Sequence, residues 1–385
     1  MRGLLLFGDT TRSAALRHEI PIAIVDPLLF AEVDGRQYVL ASRFEQARLK
    51  RALPDAEVLD YFAFGYKELV AGGMPFPDAG REAEARAVRK IGIEEAIVPG
   101  DFPLALGDRL RQDGVVLTVD DAAIDLRRRA KAPAELDGIR AALRAAEAGM
   151  KAACELLAHA EPAADGRLQL DRKPLLAEDV REALRDACAE HGAPCPPDVI
   201  VASVWQGEGH EPGSGPLPAG LPIQIDIWPR HEASACWADM ARTFVVGDPD
   251  PEHAHLIAEQ ARLVRSALEQ AQAAVRPGII GRELFDAACD SFESAGYLTQ
   301  RTAQADGDVD GFQHSLGHGV GLEVHEPPPL GIAAHDPLVA GDVLAIEPGL
   351  WDRRVGGVTI EDLVLVTETG SDLLTRFPYD LAPPG

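Results

Sequence analysis

The chain has 385 residues, 46% of them hydrophobic and 26% charged, a composition that defines a soluble globular protein and a length that predicts two domains. Its formal charge of -25 excludes nucleic acid and anionic membrane surfaces as natural partners, since both are polyanions. No apolar run approaches a membrane span, the run at 4–7 is too short for a signal peptide, and five cysteines without a Cys-x-x-Cys pair predict reduced thiols and a cytoplasmic protein.

From residue 1 to about 125, apolar runs at 4–7, 21–25, 37–41, 96–99 and 115–119 alternate with helical patterns at 43–53, 81–91 and 104–112. That alternation predicts a small α/β domain. With no Gly-rich phosphate loop and no cluster of histidines or acids, it carries no chemistry of its own and is expected to support oligomerisation or cover a neighbouring site. The basic stretch 127–131 marks the boundary, giving domains 1–127 and 128–385.

Pro133 suits the first turn of a long helix, whose apolar stripe runs Leu136, Ile139, Leu143, Ala146, Met150, Cys154 and Leu157. A second helix at 178–191 stops at Gly192, and strands follow at 199–204, 223–228 and 237–246. The order then repeats. A long helix to about 275, a shorter one at 282–295 and strands near 320, 343–347 and 359–367 predict a pseudo-twofold α/β (α+β) domain.

Each half carries an acidic hairpin. Asp226 and Asp239 stand in strand-like apolar sequence, and a hairpin centred between Glu232 and Ala233 sets them directly opposite one another. Glu347 and Glu361 do the same about Arg354. Carboxylates that close repel unless a cation lies between them. His318, flanked by Gly317 and Gly319, completes an oxygen-rich set suited to two divalent metal ions and to hydrolysis. A calcium site would use the acids without asking for the histidine. His325, seven residues on, falls on the opposite face of a straight strand, so one histidine is expected as a ligand and the other in the outer shell.

These segments carry a family resemblance. Gly317-His318-Gly319-Val320-Gly321, Val324-His325-Glu326, Ala345-Ile346-Glu347-Pro348-Gly349, Thr359-Ile360-Glu361-Asp362-Leu363 and Ala238-Asp239-Met240-Ala241-Arg242-Thr243 resemble the signature segments of the pita-bread metallopeptidases. Residues 1–125 resemble the creatinase-type amino-terminal domain of the proline-specific members. The resemblance implies a metal cage of Asp226, Asp239, His318, Glu347 and Glu361, with Glu347 also the general base. It implies that His325 and His210 steady the substrate carbonyl; the competing reading of His210 is an ordinary loop histidine. It implies two ions of manganese, cobalt or zinc, a short peptide substrate with proline second, and a homodimer. Xaa-Pro dipeptidase (prolidase) activity is the first expectation. Xaa-Pro aminopeptidase activity on longer peptides and a non-catalytic pita-bread binding protein are the alternatives, the latter disfavoured because all five ligand positions are filled. The chain departs from the family in three places. The spacing from Asp226 to Asp239 is longer by two, Thr359 replaces an arginine, and Pro196-Pro197 stand where a tyrosine is usual.

Overall fold

The computed structural model describes residues 1–204, 206, 211–303 and 310–384. The chain divides into two compact units, Met1–Arg128 and Arg129–Gly385.

The first unit holds one six-stranded sheet of β1 (Arg2–Gly8), β2 (Leu28–Val33), β3 (Arg36–Ala41), β4 (Glu57–Asp60), β5 (Glu95–Val98) and β6 (Val116–Val119), in the order β4-β3-β2-β1-β5-β6. Helices α1 (Ala14–Glu19), α2 (Gln46–Ala52), α3 (Tyr66–Ala71), α4 (Phe76–Ile91), α5 (Leu104–Gln112) and α6 (Asp121–Arg129) intervene. Alternate residues of β1 supply two cores: Leu5 packs with Ala83, Val88 and Leu106, and Leu4 and Leu6 pack with Leu16, Ile20 and Phe30. One expected strand is absent. Residues 21–25 form no strand: Thr10 N donates to Ile24 O at 3.1 Å and Ile24 N to Thr10 Oγ1 at 2.7 Å, while Ala23 O accepts from Arg48 Nη2 at 2.7 Å. Pro21, lacking an N–H, cannot extend a ladder, and the strand is β2 instead.

In the second unit two long helices, each starting at a proline, are each followed by a helix of 14 residues and then strands. The first set is α7 (Pro133–His159), a small three-stranded sheet of β7 (Glu161–Pro162), β8 (Leu168–Leu170) and β9 (Lys173–Pro174), then α8 (Ala177–Glu190), β10 (Ile200–Ser203), β11 (Ile223–Ile227) and β12 (Met240–Phe244). The second set is α9 (Pro251–Ala274), α10 (Gly281–Ser294), β13 (Gly317–Gly319), β14 (Glu326–Leu330), β15 (Val343–Ile346), β16 (Gly349–Asp352), β17 (Gly356–Thr359), β18 (Asp362–Val366) and β19 (Ser371–Leu373). Pro133 and Pro251 occupy the first helical turn, where a missing N–H costs nothing. The Glu135 carboxylate closes the start of α7 by accepting from Ala132 N at 2.8 Å. No helix among the described residues is long and apolar enough to cross a membrane.

The two sheets are β10-β11-β12 and β14-β13-β15-β18-β19. Their junction is polar. Glu361 N donates to Ala241 O at 3.0 Å, while Thr243 Oγ1 accepts from Thr359 N at 2.9 Å and donates to Thr359 O at 3.0 Å. Arg242, fully buried, gives Nη1 to the Ala241 and Glu361 carbonyls at 2.8 and 2.7 Å. It gives Nη2 to Asp362 Oδ1 at 2.8 Å and to Phe377 O at 3.1 Å.

Candidate metal centre

The first acidic hairpin closes in a register different from the expected one. Asp226 faces Ala241, not Asp239. The bond from Ala238 N to Pro229 O and the bridge Arg230 to Trp237 continue the same register into the loop, which closes through His231 N to Cys236 O at 2.8 Å. The turn thus lies one residue further on, and Asp239 sits two residues from the position opposite Asp226. A slip of two keeps both carboxylates on one face. The burial of β11 alternates accordingly, with Asp226 on the half-open side and Ile225 and Ile227 in the core.

The second hairpin keeps the expected register on both sides of Glu347 and Glu361, with Ile346 facing Asp362 and Gly349 facing Thr359. The ladder is interrupted between them because Pro348 has no N–H to donate. Glu347 and Glu361 form a non-hydrogen-bonded pair in this register, so the Glu361 N–H points outward and donates to Ala241 O, which places Glu361 against the first hairpin.

His318 enters from β13. A Cβ on Gly317 would lie 1.9 Å from Ala345 O, and one on Gly319 would lie 2.4 Å from Pro327 O. Only glycine at both positions lets β13 fit between β15 and β14 with His318 aimed at the acids. His325 was expected on the opposite face of a straight strand. The chain instead doubles back after Gly319, pairing Gly319 with Glu326, and the two imidazole centroids come within 4.3 Å.

The ligand atoms of Asp226, Asp239 and Glu361 lie within 4.8 Å of one another, and so do those of Asp239, His318 and His325. His318 Nε2 is 3.7 Å from both Asp239 Oδ2 and Glu347 Oε1. The structure thus gathers six of the seven predicted site residues; the seventh, His210, lies outside the described residues.

Burial pushes Asp226 up to about 7. Burial, with Asp226 beside it, pushes Glu347 up to about 8, although a quarter of its side chain remains open. Asp239 and Glu361 are held well above the carboxylate range by burial and by the neighbouring acids. Burial pulls His318 down to about 4, leaving a neutral ring. Its Nδ1 lies 3.1 Å from the Gly319 carbonyl, which can only accept, so the proton sits there and Nε2 presents a lone pair to the acids. Asp226 Oδ1 is buried with no hydrogen-bond partner. An orphaned oxygen, four mutually repelling carboxylates and a neutral imidazole make a donor set that fits divalent cations.

Three residues were not assigned to the site from the sequence. His314 precedes His318 by four residues, an even step along an extended chain, and its Nε2 lies 3.2 Å from where a Cβ on Gly349 would stand. Thr359 Oγ1 is 2.7 Å from the same point, so the residue replacing an arginine borders the site beside His314. Lys131 is the third. Its ammonium makes a fully buried ion pair with Glu326, and a Cβ on Gly321 would lie 2.9 Å from Lys131 Cε. Glu326 Oε2 also accepts from Glu323 N at 3.2 Å, which braces the turn that carries His325. Lys131→Met is expected to cost about 3–5 kcal/mol by leaving the Glu326 charge buried without its counter-ion, and Lys131→Met/Glu326→Gln to recover most of it. Thermal unfolding of the two variants is the measurement; equal losses would refute the pairing.

Residues 137–368 match metallopeptidase family M24, and the chain belongs to that family. The family implies divalent metal ions, which the donor set accommodates. The chain is 38% identical over 144 residues to the Xaa-Pro dipeptidase of Pyrococcus furiosus, a match that covers 37% of each protein. It is 28% identical over 360 residues to the probable dipeptidase PepE of Mycobacterium bovis, covering 90% of this chain and 82% of that one. Its fold superposes on the prolidase of Pyrococcus horikoshii OT3 with a TM-score of 0.74 at 22% identity, over 99% of this chain and 95% of the other. The fold is therefore the pita-bread fold preceded by an α/β amino-terminal unit.

Proposed function

We propose that this protein hydrolyses the peptide bond of Xaa-Pro dipeptides with two divalent ions, manganese, cobalt or zinc, held by Asp226, Asp239, His318, Glu347 and Glu361. One observation carries the reading: four carboxylates, two buried and two half-buried, converge from both halves on a neutral imidazole. The name of the Pyrococcus furiosus relative supports the substrate class. When bound, the ions supply Lewis acidity and lower the pKa of the attacking water. Glu347, at the open edge of the cage, takes that water's proton, and its raised proton affinity suits a general base. His325, exposed and beside His318, donates to the carbonyl oxygen as charge builds there. His210 is assigned the same task by resemblance. Domains 1–127 and 128–385 are the functional division. Five buried free cysteines support a reducing, cytoplasmic setting, and a homodimer is the expected assembly.

Metal-loaded protein should cleave Xaa-Pro dipeptides and lose that activity on chelation. Product analysis against a dipeptide and a tripeptide with proline second is the test. Cleavage of neither with manganese, cobalt or zinc supplied would reject the function, and cleavage of the tripeptide alone would make it an aminopeptidase.

A further inference from the structure

The turn that carries His325 is held from the first acidic hairpin. With the register of β11 and β12 continuing to the bridge between Arg230 and Trp237, alternation puts Trp237 on the face of Asp239, two residues and about 7 Å along the strand. Trp237 gives both of its donors to the turn. Its backbone N–H reaches Gly321 O at 2.8 Å, and its indole Nε1–H reaches Leu322 O at 3.2 Å. Two donors on consecutive carbonyls fix both the place and the tilt of that peptide unit, and Gly321 N closes the turn onto Glu323 O at 3.0 Å. Downstream the turn is fixed by Glu326, which pairs with Gly319 in the ladder and accepts from Glu323 N at 3.2 Å. His325 lies between these two anchors. It is exposed, whereas Gly321, Leu322 and Glu326 are buried, so the anchored backbone on either side sets where the imidazole stands.

We propose that Trp237 is the positioning residue for His325, holding its imidazole at the edge of the carboxylate cluster so that it meets the substrate carbonyl oxygen as charge builds there. The proposal rests on the peptidase function above. The contacts close on themselves. From Asp239 it is two residues to Trp237, from Trp237 two hydrogen bonds to Gly321 and Leu322, and from Leu322 three residues to His325. The ligand atoms of His325, Asp239 and His318 in turn lie within 4.8 Å of one another. A donor to a developing oxyanion works only at hydrogen-bond distance from the place that oxygen will occupy, so a displacement of about 1 Å costs much of the rate. An indole suits this task. It is rigid, it carries one donor and no acceptor, and its half-buried ring lies 5.5 Å from the Arg230 guanidinium. Phenylalanine at the same position keeps a ring there and keeps the backbone bond to Gly321, and removes only the Nε1 donor.

The test is a double-mutant cycle on kcat. Trp237→Phe should lower kcat for an Xaa-Pro dipeptide about tenfold with KM unchanged, since the positioned donor matters only in the transition state. In a His325→Gln background the same change should have no further effect, because the group it positions is gone. Metal affinity, read by titration calorimetry, should stay at the wild-type value. If Trp237 only packed the hairpin, Trp237→Phe would keep wild-type kcat and Trp237→Leu would lose thermal stability alone. Wild-type kcat in Trp237→Phe, the same loss with and without His325, or a fall in metal affinity as large as the fall in kcat would overturn the assignment. Should wild-type protein cleave no Xaa-Pro peptide, the function fails while amide hydrogen exchange of the metal-free protein still decides the positioning: exchange at Gly321 and Glu323 about tenfold faster in Trp237→Phe supports it, and unchanged exchange overturns it.

Discussion

Asp239→Asn is expected to abolish activity, to bind metal more than about a hundredfold more weakly, and yet to unfold at a higher temperature than wild type when both are metal-free at pH 8. The first two effects follow from removing a proposed ligand that lies within reach of both Asp226 and His318, since even an outer-shell partner is worth about 10–100-fold in metal affinity. The third follows from the acids themselves. Asp226 and Glu347 hold their protons to about 7 and about 8 in the folded protein, whereas an unfolded chain releases them near pH 4. The folded state therefore binds more protons than the unfolded state across that interval. The site's contribution to metal-free stability is full below about pH 4 and falls as pH rises toward 8. An asparagine cannot ionise, so it removes one member of the repelling set, a gain in metal-free stability that is largest at high pH and fades as pH falls toward the ordinary carboxylate range. Elemental analysis reads the metal, and thermal unfolding with and without manganese reads the stability. Wild-type stoichiometry in the variant, or a metal-free variant less stable than wild type at pH 8, would refute the cage.

Asp226 and Asp239 were legible because a carboxylate in an apolar strand has an energetic cost that something must offset, and that inference needs only residue types and periodicity. The register of their hairpin was not legible, because the closing bond from His231 N to Cys236 O depends on Ala235 taking a left-handed backbone (φ 65°), which an alanine does not announce. The error left the site intact since a two-residue slip preserves the face. The same reasoning on periodicity failed for His318 and His325, where a straight strand was assumed and the chain turns back on itself. Lys131 was read only as part of a basic boundary because its partner Glu326 is 195 residues away and no local pattern links them. In the amino-terminal unit, 21–25 was apolar enough for a strand, but Pro21 supplies no donor and Ile22 N and Ile24 N turn to Ile20 O and Thr10 Oγ1 instead of a ladder.

Arg242→Met is expected to lower the unfolding temperature by about 10 °C and to weaken metal binding by about 10- to 100-fold, though Arg242 is not itself a ligand. Its guanidinium is sealed in the core, and it serves the Glu361 carbonyl, the Asp362 carboxylate and the carbonyls of Phe377 and Pro378 together. Asp362, fully buried, keeps Gln272 Nε2 at 2.8 Å and the Tyr379 hydroxyl at 2.6 Å, but both are neutral and neither cancels its charge. The variant thus leaves a buried carboxylate without a counter-ion, a cost of about 3–5 kcal/mol. It also removes the donor that fixes the backbone of Glu361 beside Ala241, two residues along the chain from Asp239. A merely structural role predicts lost stability with unaltered metal affinity; a positioning role predicts both losses. In Arg242→Met/Asp362→Leu the buried charge is gone, so stability should return, while metal affinity stays low because Glu361 has not regained its anchor. Calorimetric metal titration and thermal unfolding of both variants separate the cases, and recovery of metal affinity in the double variant would show that Arg242 acts through Asp362 rather than through Glu361.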